Sequence, residues 1–434
     1  MLSTSMKFHS NKALATDPSL APLFDTLSSY RDQLGSLAHQ TDYLQPESSI
    51  QLPGDATLLK KIQETAERLH SPTLQYVVII GIGGSNLGTQ AVYEAIAGSM
   101  HLLVDRLPKL LFLDTVTDEK MTAVTRVIEH LTHKEDFLVI VISKSGTTTE
   151  TIANMEVLWN CTTKQFGDVR ERFIFITDEA SKLWNAAKEH KMETLSIPTQ
   201  VGGRFSVFSA VGLLPLALAG INIVELIEGA QRAVADGTSA KMSNNHSLVS
   251  ACLTYLQLKS GRSIRNTFFF SPKLSALGAW ERQLVAESLG KDGKGIMPII
   301  SIGSTDLHSM AQLYWGGSDI TFTNLVFSFT GAVHRVSQHL ALPGLVQHIS
   351  GTSLEGIMQA IYAGVKAAYE KSARPYVEID LEQADARELG YYLQFRMIEV
   401  MYLGRLLDLN VFDQPAVEMY KSVTRDLLES MHVR

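Results

Sequence analysis

The stretch at residues 76–98, YVVIIGIGGSNLGTQAVYEAIAG, decides the fold of this 434-residue chain. Its first five residues are apolar and β-branched or aromatic, and glycine closes the run, which is typical of a buried strand. The residues from Thr89 onward favour a helix. We therefore predict a strand, a glycine-rich turn and a helix in succession, which is the repeating unit of a parallel α/β sheet.

The glycine-rich turn spans residues 81–88, GIGGSNLG. Without Cβ atoms, its backbone N–H groups can approach an anion at the positive end of the following helix, as in phosphate sites. Two other interpretations stay open at this point. A dinucleotide site needs a third glycine, but Asn86 stands where it would be. A tight turn that binds no ligand also explains the glycines.

The length and composition of the chain limit its possible functions. A chain of 434 residues is too long for one ordinary core, so we expect two domains. The 38 basic and 45 acidic residues give a formal charge of −7, which argues against nucleic acid or a membrane as partner. Because Cys161 and Cys252 cannot form a disulfide framework or a metal cluster, and the N-terminus lacks the apolar core of a secretory signal, we expect a cytoplasmic protein.

Apolar runs followed by polar residues recur along the chain, and each predicts a strand. Such continuous apolar strands, separated by helices, indicate parallel sheets that are covered on both faces, with ligands at the carboxyl ends of the strands. Asp118 is the predicted cap of the helix after the second strand. The uncharged stretch 205–224 approaches the length of a membrane span, but polar residues interrupt it, so we predict a buried helix. The predicted strands are 76–80, 109–119, 137–142, 173–176, 266–270, 296–302 and 320–327.

Helices are predicted around and between these strands. Residues up to about 75 favour helix and form a cap rather than a site. Further helices are predicted at 271–289, 306–315, 391–407 and 415–431. The polar stretch 235–245 marks a soft boundary between two domains that we expect to pack closely.

A second candidate phosphate loop follows the strand at 137–142. Residues 143–151, SKSGTTTET, place many hydroxyl donors before a helix, and Lys144 and Ser85 add to them. Either loop alone is explained as a solvated turn. Two such loops at the ends of neighbouring parallel strands converge at one edge of the sheet, which favours a phosphate site.

Two charged residues have the chemistry of a proton-transfer site. Arg204 follows two glycines at the start of the buried 205–224 segment, where a guanidinium suits a developing oxyanion; an ordinary helix-end arginine is the alternative. Glu287 lies on the face of the 271–289 helix that carries Leu284, with Gln283 one turn earlier, and its position suits a general base. The alternative for Glu287 is a surface ion pair with Lys291 or Lys294.

Two further residues have less specific positions. His308 lies just after the strand at 296–302, where active-site groups gather, although a structural histidine is equally consistent with this position. Lys421 falls on the stripe Val417, Lys421, Thr424 and Leu428, which we expect to be partly buried. The alternative for Lys421 is an ion pair with Glu418.

Taken together, these segments resemble the glucose-6-phosphate isomerase family, in its compact bacterial form, from about residue 76 to 421. The motifs that carry the resemblance are GIGGSNLG (81–88), SKSGTTTET (143–151), VGGRFSVFSAVG (201–212), ESLGKDGK (287–294), STDLHS (304–309) and FDQPAVEMYK (412–421). The resemblance implies two sugar-isomerase (SIS) domains, each a mostly parallel sheet flanked by helices. It divides the chain into a helical N-terminal segment (1–74), a first SIS domain with the phosphate loops (75–235), a second (236–410) and a C-terminal helix (411–434).

The resemblance also implies the activity and the role of each site residue. The family interconverts glucose 6-phosphate and fructose 6-phosphate, needs no cofactor or metal, and works as a dimer with shared active sites. By this resemblance, Glu287 moves a proton between C1 and C2, and Arg204 stabilises the enediolate. His308, delivered by the partner subunit and paired with Glu150, and Lys421 assist ring opening. The remaining residues bind substrate: Gly84, Ser85, Ser143, Lys144, Ser145 and Thr148 at the phosphate, and Gln283 and Gln414 at the sugar.

Two alternative functions stay open. A non-catalytic SIS protein that senses sugar phosphates would keep the 143–151 loop, but it has no use for Glu287, His308 and Lys421 together. Isomerisation of another phosphosugar, such as mannose 6-phosphate, would use the same residues.

Overall fold

The computed structural model describes residues 6–10, 12–13, 17–329, 331 and 333–432. The N-terminal part forms one short strand and three helices before the first sheet begins. Asp55 caps the third helix by accepting a hydrogen bond from the Leu58 N–H. These elements are β1 (Lys7–His9), α1 (Asp17–Thr26), α2 (Ser28–Leu37) and α3 (Ala56–Leu69).

The first sheet is entirely parallel, in the order β3-β2-β4-β5-β6. Every residue of its central strand β4 is buried, because helices cover both faces. Its elements are β2 (Tyr76–Ile80), α4 (Leu87–Ala97), β3 (Lys109–Leu113), α5 (Asp118–Glu129), β4 (Phe137–Ile142), α6 (Thr149–Phe166), β5 (Phe173–Thr177), α7 (Lys182–Glu189) and β6 (Glu193–Ser196).

Three helices, α8 (Ala210–Leu218), α9 (Ile223–Gly237) and α10 (His246–Lys259), lead to the second sheet. That sheet has the order β1-β10-β9-β7-β8 and is parallel except for β1. Its elements are β7 (Ile264–Phe269), α11 (Ser275–Leu289), β8 (Met297–Ile302), α12 (Thr305–Ser309), α13 (Ala311–Gly316), β9 (Thr321–Ser328), α14 (Leu354–Lys371) and β10 (Tyr376–Leu381). The chain ends with α15 (Ala386–Leu407) and α16 (Glu418–His432).

One hydrophobic core joins the two halves of the molecule. It contains residues of both sheets, such as Ile79 and Phe269, together with the buried faces of α8, α9, α11 and α15. The helices α9 and α15 approach closely because each presents a glycine to the other's backbone: a Cβ on Gly229 would lie 1.9 Å from the Arg387 carbonyl oxygen. The two sheets therefore share one continuous hydrophobic core.

The predicted α/β class with two mostly parallel sheets is confirmed, while several individual elements differ from the prediction, among them the helices α9, α10 and α14, for which no range was predicted. The strands β1, β6 and β10 were not predicted, and β1 adds a strand to the N-terminal segment that we expected to be helical. Asp118 is the first residue of α5 rather than its cap, which is Thr117. The predicted helix at 306–315 is broken into α12 and α13. The predicted boundary after residue 235 falls in the last turn of α9.

The uncharged stretch 205–224 contains α8, in which every residue except Ala217 is buried. It forms part of the core, as predicted. In the described part of the chain, no helix is both long and apolar enough to span a membrane.

Candidate active site

The two glycine- and hydroxyl-rich loops follow β2 and β4, which are neighbours in the first sheet. Residues Gly83–Ser85 form a short 3-10 turn that leads into the N-terminus of α4. Gly84 packs directly on the 203–204 backbone, since a Cβ on Gly84 would lie 2.0 Å from the Gly203 carbonyl carbon. The missing side chain therefore brings the first loop against the segment that carries Arg204.

The second loop, between β4 and α6, is held in shape by its own hydroxyl groups. The Ser143 and Thr148 hydroxyls lie 2.8 Å apart, and the Gly146 N–H donates to Ser143 Oγ at 3.1 Å. The Thr147 N–H donates to Ser145 Oγ at 3.3 Å. Gly146 has φ of +67°, which an L side chain rarely adopts. The loop thus gathers three hydroxyls, from Ser143, Ser145 and Thr148, at the amino end of α6.

Lys144 brings a positive charge to this loop. Partial burial lowers the pKa of its ammonium group, the nearby Asp178 carboxylate acts in the opposite direction, and the Arg204 charge adds to the lowering. Because Gly84 of the first loop packs on Gly203, the two loops and the Arg204 guanidinium lie in one region of the molecule. An anion bound there would relieve the repulsion between the two cations.

Arg204 is buried, with a side chain that is only 1% exposed. Its Nε donates to Ser288 Oγ at 2.7 Å, and its Nη1 donates to Glu287 Oε1 at 2.9 Å and Gln414 Oε1 at 3.1 Å. Its Nη2 donates to the carbonyl oxygens of Val411 and Asp413. All five N–H donors therefore have partners. Arg204 is a fixed internal cation, and the alternative of an ordinary helix-end arginine is wrong.

Glu287 lies in the last turn of α11, beside Arg204. One carboxylate oxygen accepts from Arg204 and the other accepts from Gln283 Nε2 at 2.8 Å. The Glu287 side chain is 26% exposed and lines a cavity of about 670 Å³ that Gln414 also borders. The buried Gln283 Oε1 has no hydrogen-bond partner among the described residues. The site thus places a carboxylate at the cavity wall, with a buried cation and an unused buried acceptor directly behind it.

The alternative ion pairs of Glu287 with Lys291 or Lys294 are wrong, because both lysines hold the segment 407–414 instead. Lys291 Nζ donates to the Asp413 carboxylate at 2.6 Å and to the Asn410 carbonyl. Lys294 Nζ donates to the Leu407 carbonyl at 3.0 Å. Sequence reasoning missed this role. The two lysines fix the segment whose carbonyls and Gln414 bind Arg204.

Three predicted site residues stay apart from this cluster in the single chain. His308 is exposed on α12, after the edge strand β8, and it forms no hydrogen bond or ion pair with any described residue. Glu150 lies in the first turn of α6, and no pair with His308 exists in the described part of the chain. Lys421 is 42% exposed and pairs with Glu418 at 2.8 Å. On the stripe that we expected to be partly buried, Val417 and Lys421 are partly buried, whereas Thr424 and Leu428 are exposed, because α16 packs little against the rest of its own chain.

Comparisons with known proteins identify the family of this chain. The family model described as phosphoglucose isomerase matches residues 56–339. A glucose-6-phosphate isomerase of Rubrobacter xylanophilus is 34% identical over 391 residues, covering 87% of this chain and 88% of the relative. A probable glucose-6-phosphate isomerase of Haloarcula marismortui is 34% identical over 357 residues, covering 81% and 78% respectively.

Two solved structures share the fold. A hypothetical protein of Thermus thermophilus superposes with a TM-score of 0.84 at 27% identity, covering 98% of this chain and 99% of that one. A glucose-6-phosphate isomerase of Chlamydia trachomatis superposes with a TM-score of 0.78 at 22% identity, covering 99% and 90%. The sequence matches and the shared fold lead to one conclusion: the chain belongs to the phosphoglucose isomerase family.

Proposed function

We propose that this protein interconverts glucose 6-phosphate and fructose 6-phosphate, a step of glycolysis and gluconeogenesis, through a cis-enediolate. The observation that carries the proposal is the contact between Glu287 and the buried Arg204 beside the phosphate loops. Moving a hydrogen from C2 to C1 requires a base for a weakly acidic C–H bond and a cation where the enediolate oxygen develops. Glu287 and Arg204 supply these two groups.

In the proposed reaction, the Glu287 carboxylate accepts the C2 proton of open-chain glucose 6-phosphate while the carbonyl at C1 becomes an enediolate oxygen. The same carboxylate returns the proton to C1, and the hydrogen on O2 moves to O1, which leaves fructose 6-phosphate. Arg204 stabilises the enediolate charge without reorganising, because its donors are already fixed. Gln414, which lines the cavity, and Gln283, whose Oε1 has no partner among the described residues, are assigned to the sugar hydroxyls.

The phosphate group is held, in this proposal, by the hydroxyls of Ser85, Ser143, Ser145 and Thr148, with the backbone of Gly84 and Lys144. The support is the convergence of both loops at two helix N-termini and the positive charge of Lys144. Binding energy from the phosphate, which does not react, can then orient the reacting carbons.

Ring opening is assigned to His308, Glu150 and Lys421, and this assignment requires a second subunit. His308 is exposed and Lys421 is partly exposed in the single chain, and many apolar side chains of α16 and of the segment leading into α14 are exposed as well. Grouped exposed apolar side chains are typical of a protein interface. We propose a homodimer in which His308 of each chain completes the site of the other. The exposed apolar side chains are Val333, Leu342, Leu345, Val346, Leu354, Met419, Tyr420, Val423, Leu427 and Met431.

The proposed partners are accordingly a phosphosugar and a second copy of this chain, without nucleic acid or membrane, and the proposed location is the cytoplasm. The net charge of −7 supports the proposal that nucleic acid and membranes are not partners. A binding-only regulator is not favoured, since the family relatives are isomerases by name and a sensor has no use for a carboxylate set against a buried guanidinium.

A coupled assay of the purified protein, without added metal, tests the proposal. Fructose 6-phosphate turnover should be at least tenfold faster than turnover of mannose 6-phosphate. Glu287→Gln should abolish turnover and exchange of the C2 hydrogen with solvent, because the amide keeps the shape but accepts no proton. Its affinity for the phosphosugar should stay within about tenfold of the wild type. A variant that keeps more than a few per cent of turnover would remove Glu287 from the role.

A further inference from the structure

The residue after the proposed base also contacts the guanidinium. Ser288 is fully buried, and its Oγ accepts a hydrogen bond from Arg204 Nε at 2.7 Å. Glu287 and Ser288 are therefore consecutive residues of α11 that bind two different nitrogens of one arginine. The other partners of Arg204 are Gln414, which is exposed, and two backbone carbonyls of the 411–413 segment.

Each of these contacts constrains the guanidinium in a different way. The contacts of Nη1 to Glu287 and Gln414 lie at the cavity, where a substrate can compete for them. The contact of Nε to Ser288 lies in the interior and is out of reach of solvent. A planar guanidinium bound at Nε and at Nη2 cannot rotate about its long axis, so Nη1 is held toward Glu287 and Gln414, two residues that line the cavity.

We infer that Ser288 is a positioning residue for the isomerisation: its hydroxyl fixes the plane of Arg204 so that Nη1 faces the enediolate oxygen. The inference rests on the proposed function and extends it to a residue that does not touch substrate. Because Ser288 and Glu287 share one turn of α11, the same helix sets the positions of the base and of the cation. A movement of this helix shifts both groups together and preserves their separation.

The backbone around Arg204 is fixed independently of Ser288. Trp280 Nε1 donates to the Arg204 carbonyl at 3.2 Å, and Gly203 lies against Gly84. Loss of the Ser288 hydroxyl therefore leaves the main chain of Arg204 in place and frees only the orientation of its side chain. Because the main chain stays in place, a change in kcat reports on the side chain of Arg204, and kinetics can test the inference.

The test compares Ser288→Ala with the wild type in the coupled assay. We expect kcat to fall by about ten- to a hundredfold, while KM for fructose 6-phosphate stays within threefold, because the loss concerns the transition state. A phosphorylated aldonate, whose planar carboxylate imitates the enediolate, should lose affinity in parallel with kcat. Inorganic phosphate should bind as before. Ser288→Cys is nearly isosteric but a weaker acceptor, so its kcat should lie between those of the wild type and Ser288→Ala. If Ser288→Ala does not fold, the kcat of Ser288→Cys tests the inference in its place.

A matched control and a double variant separate positioning from simple destabilisation. Ser247 of α10 is also buried, and its hydroxyl donates to the Phe395 carbonyl of α15 at 3.1 Å. Ser247→Ala should lower the unfolding midpoint without changing kcat. In an Arg204→Lys background, Ser288→Ala should add little further loss, since the group that it positions is gone.

The inference is overturned if Ser288→Ala leaves kcat and aldonate affinity within threefold of the wild type. It is also overturned if the losses of kcat caused by Ser288→Ala and by Arg204→Lys add fully in the double variant. A wild-type protein without isomerase activity would instead refute the proposed function, and the two failures are thus distinguishable.

Discussion

Arg204 shows how much structure a single buried charge requires. Removing a guanidinium from water is costly unless every donor finds a partner, and the chain supplies five acceptors from two separate segments, 287–288 and 411–414. Burial lowers the pKa of Arg204, while Glu287 and Asp413 act in the opposite direction, and arginine nevertheless stays protonated. The resulting cation is preorganised, which is the property that stabilisation of a developing oxyanion requires.

The phosphate loops can be tested at the same scale. The double variant Ser143→Ala, Thr148→Ala should raise KM for fructose 6-phosphate at least about tenfold, because one charge-assisted hydrogen bond contributes about 1.5–3 kcal/mol. The effect on kcat should be smaller, since these hydroxyls act away from the reacting carbons. Steady-state kinetics with the phosphorylated sugar measures both quantities.

A matched control for this variant is present at the opposite end of the sheet. Ser71 and Thr73 form an exposed hydroxyl pair, 3.0 Å apart, in the turn before β2. The double alanine variant at these positions should leave KM unchanged. If both double variants have the same KM as the wild type, the 143–151 loop does not bind the phosphate group.

At the level of elements, α11 is the helix that positions Glu287, the proposed base, relative to the rest of the fold. Its buried Glu281 accepts from Arg265 at 2.8 Å and from Thr267 at 2.7 Å, and Tyr392 of α15 also donates to it at 2.5 Å. Glu399 of α15 completes the network by pairing with Arg265 at 3.1 Å. Burial raises the pKa of Glu281, but the charges of Arg396 and Arg265 and the hydroxyl donors Tyr392 and Thr267 lower it by more, so the net shift is downward. This network ties α11 to β7 and α15 and thereby fixes where Glu287 can lie.

The packing of α15 on α9 leads to a testable prediction about stability. A Cβ on Gly390 would lie 1.9 Å from the Leu226 carbonyl oxygen, which is backbone and cannot turn away. Gly390→Ala should therefore force the helices apart and lower the free energy of unfolding by at least about 2 kcal/mol, as overpacking does. Urea denaturation followed by circular dichroism measures the change.

Gly364 of α14 is the control for this substitution. It is also helical, but a Cβ there meets nothing within 4 Å. Gly364→Ala should leave the midpoint unchanged or raise it, because alanine favours helix over glycine by up to about 1 kcal/mol. Similar losses of stability in both variants would show that helix approach does not determine the effect at Gly390.

The sequence predicted those elements that depend on local patterns. The strands β2 and β4 and the two loops after them are encoded in short apolar runs followed by glycines and hydroxyls. The strand β1 was missed because it has three residues and pairs with β10 near the other end of the chain. The roles of Ser288 and Lys291 were missed for a similar reason. Their partners are an arginine and backbone carbonyls far away in sequence, and no spacing rule connects them.

At the level of the whole molecule, the single chain leaves part of its proposed chemistry unassembled. Glu287, Arg204 and Gln283 form one cluster, whereas His308 is exposed on α12 and Lys421 is partly exposed on α16. The apolar side chains of α16, such as Met419 and Leu427, are exposed as well. A two-fold partner that covers these surfaces would bury the apolar area and deliver the missing groups in one step.

Mixed dimers test whether the site is shared. Glu287→Gln and His308→Ala subunits should each be inactive alone. In a mixed dimer with shared sites, one site combines an intact Glu287 from one chain with an intact His308 from the other, and the second site carries both lesions. Random assortment makes about half of the dimers mixed, so about a quarter of the wild-type activity should return after co-expression.

Two different affinity tags sharpen this measurement. Purification through both tags retains only mixed dimers, in which one site of two is intact, so about half of the wild-type activity per dimer is expected. Dimers of Glu287→Gln alone, carrying both tags, are the control and should stay inactive. If His308 instead acts within its own chain, every site in a mixed dimer keeps one lesion. The doubly tagged dimers would then be as inactive as either parent, and the exposure of His308 would need another explanation.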